Sequence, residues 1–265
     1  MDRKTTRILF TIDKNVNPEE SIKAAVEISR KANLSLTYIH TDESYDLCQG
    51  DLDACKKDFK LKYYKDLEYE KVSGSLWKTL AKQGAEKDCN MFVVGAKTEK
   101  AGLFGGGMAA VMSGFQGGVL FLNENTQWLT PRSIVMPLDG QSETRQKFYR
   151  VSEWAGFTRA KVHVLGVSNP SDKEDKTYVH TYSVQGENYM LERKIQANRE
   201  EVEAKDCAKA ILDKAATLKP CWISAVSNTD GIFRTSSFQK VCEQADEPVL
   251  IMPYQEIAGA GGVGY

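Results

Sequence analysis

The stretch RILFTID, Arg7 to Asp13, returns 126 residues later as SIVMPLD, Ser133 to Asp139. Each is a short apolar run closed by aspartate, the pattern of a buried strand with an acid at its carboxyl tip. The same shift sets Ile22, Ala25, Val26 and Ser29 over Phe148, Val151, Ser152 and Ala155, at the i, i+3, i+4, i+7 spacing of one helix face. It also lays LTYIHT (Leu36–Thr41) over VHVLGV (Val162–Val167). Further on the offset grows to 131, matching Trp77, Leu80, Ala81 and Gly84 with Ala208, Ile211, Leu212 and Ala215, then MFVVG (Met91–Gly95) with WISAV (Trp222–Val226). Finally VLFLN (Val119–Asn123) falls on VLIMP (Val249–Pro253) at an offset of 130.

A ladder of matches in one order predicts duplication, with one unit in residues 1–126 and a second in 127–265. Strands alternating with helices, and apolar on both faces, predict an α/β fold built on an open parallel sheet covered by helices. Asn17-Pro18-Glu19-Glu20 starts the first helix: a cap, a proline at the first helical position, and acids at the positive end of the dipole. In the midsections, Asp51–Lys65 reads as a lysine-rich helix and Leu67–Val72 as a strand. Tyr178–Val184 reads as a strand, and Glu187–Leu218 as one long helix or two.

Length and composition set outer limits. The 265 residues exceed one small module, and 42% hydrophobic with 27% charged residues predicts a folded chain. A net charge of -1 provides no general basic field, so no nucleic-acid partner is expected. Cysteines 48, 55, 89, 207, 221 and 242 form no CxxC pair and no zinc spacing with histidine, so they read as reduced thiols of a cytoplasmic protein. The polar opening Met1–Thr6 runs straight into ILFTI and predicts no export signal. Ala101–Asn123 lacks charge over 23 residues, but seven are glycine, which would break a spanning helix; no membrane partner is expected.

Two constellations carry possible chemistry. Asp13 and Asp139 stand at strand ends, where open parallel sheets bind ligands; each either accepts hydrogen bonds from ribose hydroxyls or caps the following loop. No base and nucleophile pair stands near either, so no catalytic residue is assigned. The run Gly95 to Met108, with Gly102, Gly105, Gly106 and Gly107, either aims backbone N–H groups at a phosphate or merely permits tight turns; Lys97 and Lys100 add charge. Gly105-x-Gly107-x-x-Ala110 fits a relaxed dinucleotide fingerprint in the wrong context, because the preceding strand ends ten residues earlier. His40, His163 and His180 read as packing residues, and Lys56, Lys57, Lys60, Lys62 and Lys65 as a solvated helix face. No metal site is expected, and the tail AGAGGVGY reads as frayed.

A first strand ending in Asp, an amphipathic helix, a second strand, then V-G, a glycine-rich loop, a helix and a VLxx strand resemble the universal stress protein domain, here in tandem over Arg7 to Pro253. The resemblance implies two tandem five-stranded parallel sheets with helices on both faces, of the adenine-nucleotide α-hydrolase type, packed as a pseudo-dimer through their last strands. It admits a homodimer of the whole chain. It implies a non-catalytic module of the stress response, and a site for ATP or another adenine nucleotide in those members that keep a G-x2-G-x9-G-[ST] loop. Asp13 would then hold ribose, the backbone of Thr41 would lie beside adenine, and Gly95, Gly105 and Gly106 beside the phosphates, with Lys97, Gly102 and Gly107 in the same loop. The motif is altered: Thr98 replaces its second glycine, the interval to Gly105 is three residues short, and Gly106 stands where Ser or Thr is expected. In the second half Val226-Ser-Asn-Thr229 replaces G-x2-G, and Thr235-Ser236 replaces G-[ST], so ligand is expected only in the first. Two other readings are a ligand-free scaffold and an adenylating enzyme. The latter needs an SGGxDS-like or HxGH-like site where this chain has DKNVNPEES and DGQSETR.

Overall fold

The computed structural model describes residues 7–86, 89–97, 111, 115, 117–227 and 235–254. In the first half β1 (Arg7–Ile12), α1 (Pro18–Lys31), β2 (Ser35–His40), α2 (Leu52–Tyr63), β3 (Glu68–Lys71), α3 (Leu76–Glu86), β4 (Cys89–Gly95) and β5 (Gly118–Leu122) follow one another. In the second come β6 (Ser133–Leu138), a 3-10 turn (Ser142–Gln146), α4 (Lys147–Thr158), β7 (Lys161–Ser168), α5 (Lys173–Glu192), β8 (Ala197–Glu203), α6 (Cys207–Thr217), β9 (Cys221–Val226), α7 (Thr235–Gln244) and β10 (Val249–Met252). The sequence signals act where expected at α1: the Asn17 side chain accepts the Glu19 N–H at 3.1 Å, Pro18 opens the helix, and Arg30 and Lys31 close it.

All ten strands form one sheet in the order β3-β2-β1-β4-β5-β10-β9-β6-β7-β8. Within each half the pairs are parallel and the order of strands is the same. The halves meet where β5 and β10 pair antiparallel, Phe121 against Val249 and Val119 against Ile251. Those strands are apolar and buried, whereas the outer strands β3 (EYEK) and β8 (ANREEVE) carry charges that discourage further pairing. One apolar layer holds α1, α2, α4 and α5 residues such as Ile28, Phe59, Trp154 and Met190; the other holds α3, α6 and α7 residues such as Leu80, Ile211 and Val241. Each layer runs through both halves.

The connection between halves is tied down. The Asn123 side-chain amide donates to the carbonyls of Cys242 and Ala245, at 3.1 and 2.8 Å, at the end of α7. Trp128 donates its indole N–H to Glu27 on α1 at 2.9 Å and packs 6.0 Å from Trp222 of β9.

Three expectations are corrected. Tyr178–Val184 is helical, inside α5: Val179, Ser183, Gly186 and Met190 are buried at helical spacing. The hydroxyls of Thr177 and Thr181 bond carbonyls one turn back, which offsets their preference for strands. Glu187–Leu218 is neither one helix nor two, since it contains the edge strand β8, whose charged residues disguise it. Cys48 and Cys55 are joined as a disulfide, and the other cysteines are free and buried. Among the described residues no helix is long and apolar enough to cross a membrane, and the described end of the uncharged stretch is β5.

Candidate functional site

In the first half the chain crosses from one side of β1 to the other: β2 lies on one flank and β4 on the other. This reversal opens a crevice at the carboxyl ends of β1 and β4. Asp13 stands there, buried, its N–H bonded to the Gly95 carbonyl at 2.8 Å. Its Oδ1 accepts the backbone N–H of Asn15 at 2.7 Å and the Asn15 side-chain amide. Its Oδ2 has no hydrogen-bond partner among the described residues.

A strap formed by Thr41 to Gly50 crosses above. Ser44 bridges Asp13, and the Tyr45 N–H bonds the Ile12 carbonyl at 2.7 Å. The Thr41 N–H, expected beside adenine, donates to Ser44 Oγ at 2.8 Å. Beneath the strap the Tyr38 hydroxyl donates to the Tyr45 carbonyl, and His40 lies within 3.2 Å of Ser44 Oγ and stacks on Tyr69 at 5.8 Å. Burial, then the nearby Asp46 carboxylate, pushes the Tyr69 phenol up to about 12.

Gly95 ends β4, and its missing Cβ has a specific cause. A Cβ there would stand 2.1 Å from Ser21 Oγ and 3.1 Å from Ser21 Cβ on α1. The glycine therefore lets α1 approach the strand, which is the packing reading of this position. Lys97 follows, half-buried. Gly102, Gly105, Gly106 and Gly107 lie outside the described residues. The Asp13 carboxylate suits a hydroxyl-bearing ligand, and the Thr41 N–H is occupied by Ser44 of the strap.

The equivalent place in the second half is filled by the chain itself. Asp139 accepts the Gln141 N–H at 3.2 Å and interacts electrostatically with Lys147, which occupies the position of Ser21 in the duplicated register. Lys147 is 2% exposed and donates to the Pro137 carbonyl. Burial lowers its ammonium to about 8, against the pull of Asp139. Above Gly140, where a Cβ would lie 2.3 Å from Asp175 Oδ1, Asp175 accepts the Asn169 N–H at 2.7 Å. Cys207 is buried nearby; burial, with the charges of Asp139, Asp175 and Asp206, raises its thiol to about 11. Sequence reasoning missed Lys147 and Asp175. The signal for Lys147 was a lysine at a helix position whose counterpart, Ser21, lies on the buried face of α1.

No protein-family model matches the chain, and no curated protein matches its sequence. Solved structures do share its fold. A functionally unknown protein from Pseudomonas aeruginosa is 17% identical, with a TM-score of 0.63 over 93% of this chain and 92% of that one. A universal stress protein from Archaeoglobus fulgidus is 12% identical, with a TM-score of 0.61 over 94% of this chain and 97% of that one. The cytoplasmic domain of a prokaryotic cation chloride cotransporter is 10% identical, with a TM-score of 0.55 over 93% and 94%. The chain has the fold of the universal stress proteins, in an arrangement of two joined halves.

Proposed function

We propose that this chain is a non-catalytic binding or signalling module of the stress response, and that its first half takes an adenine nucleotide, with ATP as the first candidate. The contrast between the two strand-end aspartates carries the reading. Asp13 keeps one carboxylate oxygen without a partner among the described residues, at the crevice where the strand order reverses. Asp139 faces its own lysine instead. A carboxylate at that place suits the paired hydroxyls of ribose, and each such charge-assisted bond is stronger than a neutral one. The non-catalytic part of the proposal rests on how the one hydroxyl beside an imidazole near Asp13 is used: Ser44 Oγ, 3.2 Å from His40 Nδ1, is buried, accepts the Thr41 N–H and donates to the Thr41 carbonyl, so it ties the strap instead of facing a substrate.

Titration calorimetry with ATP and magnesium, on protein freed of carried-over nucleotide, tests the reading. Saturable heat below millimolar ligand is the expected result. An absence of heat at millimolar ligand, in oxidised and in reduced protein alike, would favour a ligand-free scaffold.

A further inference from the structure

The strap Thr41 to Gly50 has hydrogen-bonded ties at β1 and a covalent one at its far end. Cys48 is bonded to Cys55, which lies in the first turn of α2. Just before Cys48, Asp46 accepts the N–H groups of Cys48 and Gln49, at 3.1 and 3.0 Å. Gln49 sits at φ 38°, a left-handed backbone that a residue with a Cβ holds only under constraint. Beside the disulfide lies a cavity of about 430 Å³, walled by both cysteines, Leu47, Ala54, Phe59 and Tyr63. Both cysteines are half-buried and line this cavity, and Gln49 and Gly50 between them are exposed. The free cysteines Cys89, Cys207, Cys221 and Cys242 are buried. Burial also raises the thiols of Cys207 and Cys221, to about 11 and about 12, which leaves little thiolate to react. One sulfur pair in this chain is thus placed for exchange.

We propose that Cys48–Cys55 is a thiol–disulfide exchange site that takes a low-molecular-weight thiol through the adjoining cavity, and that its opening releases the strap from the ends of β1 and β2. A thiolate attacks one cysteine sulfur; the S–S bond breaks, and the other cysteine leaves as thiolate and gains a proton. A second thiol attacks the mixed disulfide and releases the remaining cysteine, so two small thiols are oxidised to one disulfide while the protein gains two thiols. Once the covalent tie is gone, Gln49 relaxes and the turn around Asp46 opens. The bridge from Ser44 to Asp13 and the bond from Thr41 to Ser44 then lose their support. If the first half is a nucleotide site, as proposed above, the released Thr41 N–H becomes available to the base; this consequence alone rests on that reading.

The test uses the full chain, air-oxidised, reduced with millimolar glutathione, and as the Cys48→Ser/Cys55→Ser variant. Thiol counting after denaturation should find four free thiols in the oxidised protein and two more after glutathione. Hydrogen exchange should quicken about tenfold in peptides covering 41–50, in both the reduced protein and the variant, with the strands unchanged. A disulfide that never forms in air, one that glutathione leaves intact in the native protein, or identical exchange of 41–50 in all three samples would each overturn the proposal. Calorimetry with ATP on the same samples separates the two readings: silence in every state counts against the nucleotide site, while exchange still decides the latch.

Discussion

Ser21 on α1 fills the space that a side chain at Gly95 would need, with its Oγ 2.1 Å from the missing Cβ. The last residue of β4 is therefore a contact between helix and strand before it is anything else.

Gly95→Ala should accordingly act on stability. Overpacking a tight contact costs about 1 to 3 kcal/mol, or roughly 2 to 10 °C in melting temperature for a chain of this size. The Ser21 hydroxyl lies at the end of a side chain, so Ser21→Ala in the same protein should recover most of the loss. Thermal denaturation of the single and double variants checks this. A Gly95→Ala protein that melts like the parent yet loses nucleotide heat would return the glycine to the phosphate site.

The pairing of β5 with β10 predicts the behaviour of an isolated half. Residues 1–126 alone would expose the edge of β5, from Val119 to Leu122, and the apolar layers that continue into the second half. Sedimentation should find a dimer or aggregate. A well-behaved monomer would mean that β5 needs no partner.

Lys147 predicts a pH dependence with a definite sign. Its folded-state value, about 8, lies below the ordinary 10.5, so between these the unfolded chain binds the extra proton and stability rises with pH. Below about 8 the cost of the buried ammonium is fully present. The buried thiols oppose this: Cys207, Cys221 and Cys242 are raised above 9.0, so above that pH they remove stability. The comparison that isolates the lysine is therefore with Lys147→Met. The parent should gain on the variant as pH climbs from 8 to 10.5 in urea denaturation. A constant difference between them across that window would show that Lys147 keeps an ordinary titration in the folded protein.

Much of this architecture was legible because the chain states it twice. The runs ending in Asp13 and Asp139, and the faces of α1 and α4, keep one spacing in both halves, since a buried strand or helix face tolerates few residue types. The midsection of the second half was not legible, for a physical reason. β8 is an edge strand in which no residue is fully buried, so Arg199, Glu200 and Glu201 carry no burial pattern, and α5 buries only a narrow stripe on a helix rich in Thr and Tyr. At the site, the position of Asp13 could be read from its run. The crossing of the strap could not, because it depends on the Cys48–Cys55 bond and on Ser44 meeting Asp13, contacts that no periodicity encodes. Lys147 was hidden because a lysine at the start of a helix ordinarily reads as a solvated residue.

The central claim is that the two halves have diverged into one ligand site and one self-filled copy, and paired titrations with ATP on Asp13→Ala and Asp139→Ala test it most directly. Losing a hydrogen bond to a charged group costs about 1.5 to 3 kcal/mol, so Asp13→Ala should weaken affinity roughly ten- to hundredfold. Asp139→Ala should leave affinity unchanged and lower the melting temperature, because Lys147 then stays buried without its counter-charge. If Asp139→Ala abolishes binding and Asp13→Ala leaves it intact, the working site lies in the other half.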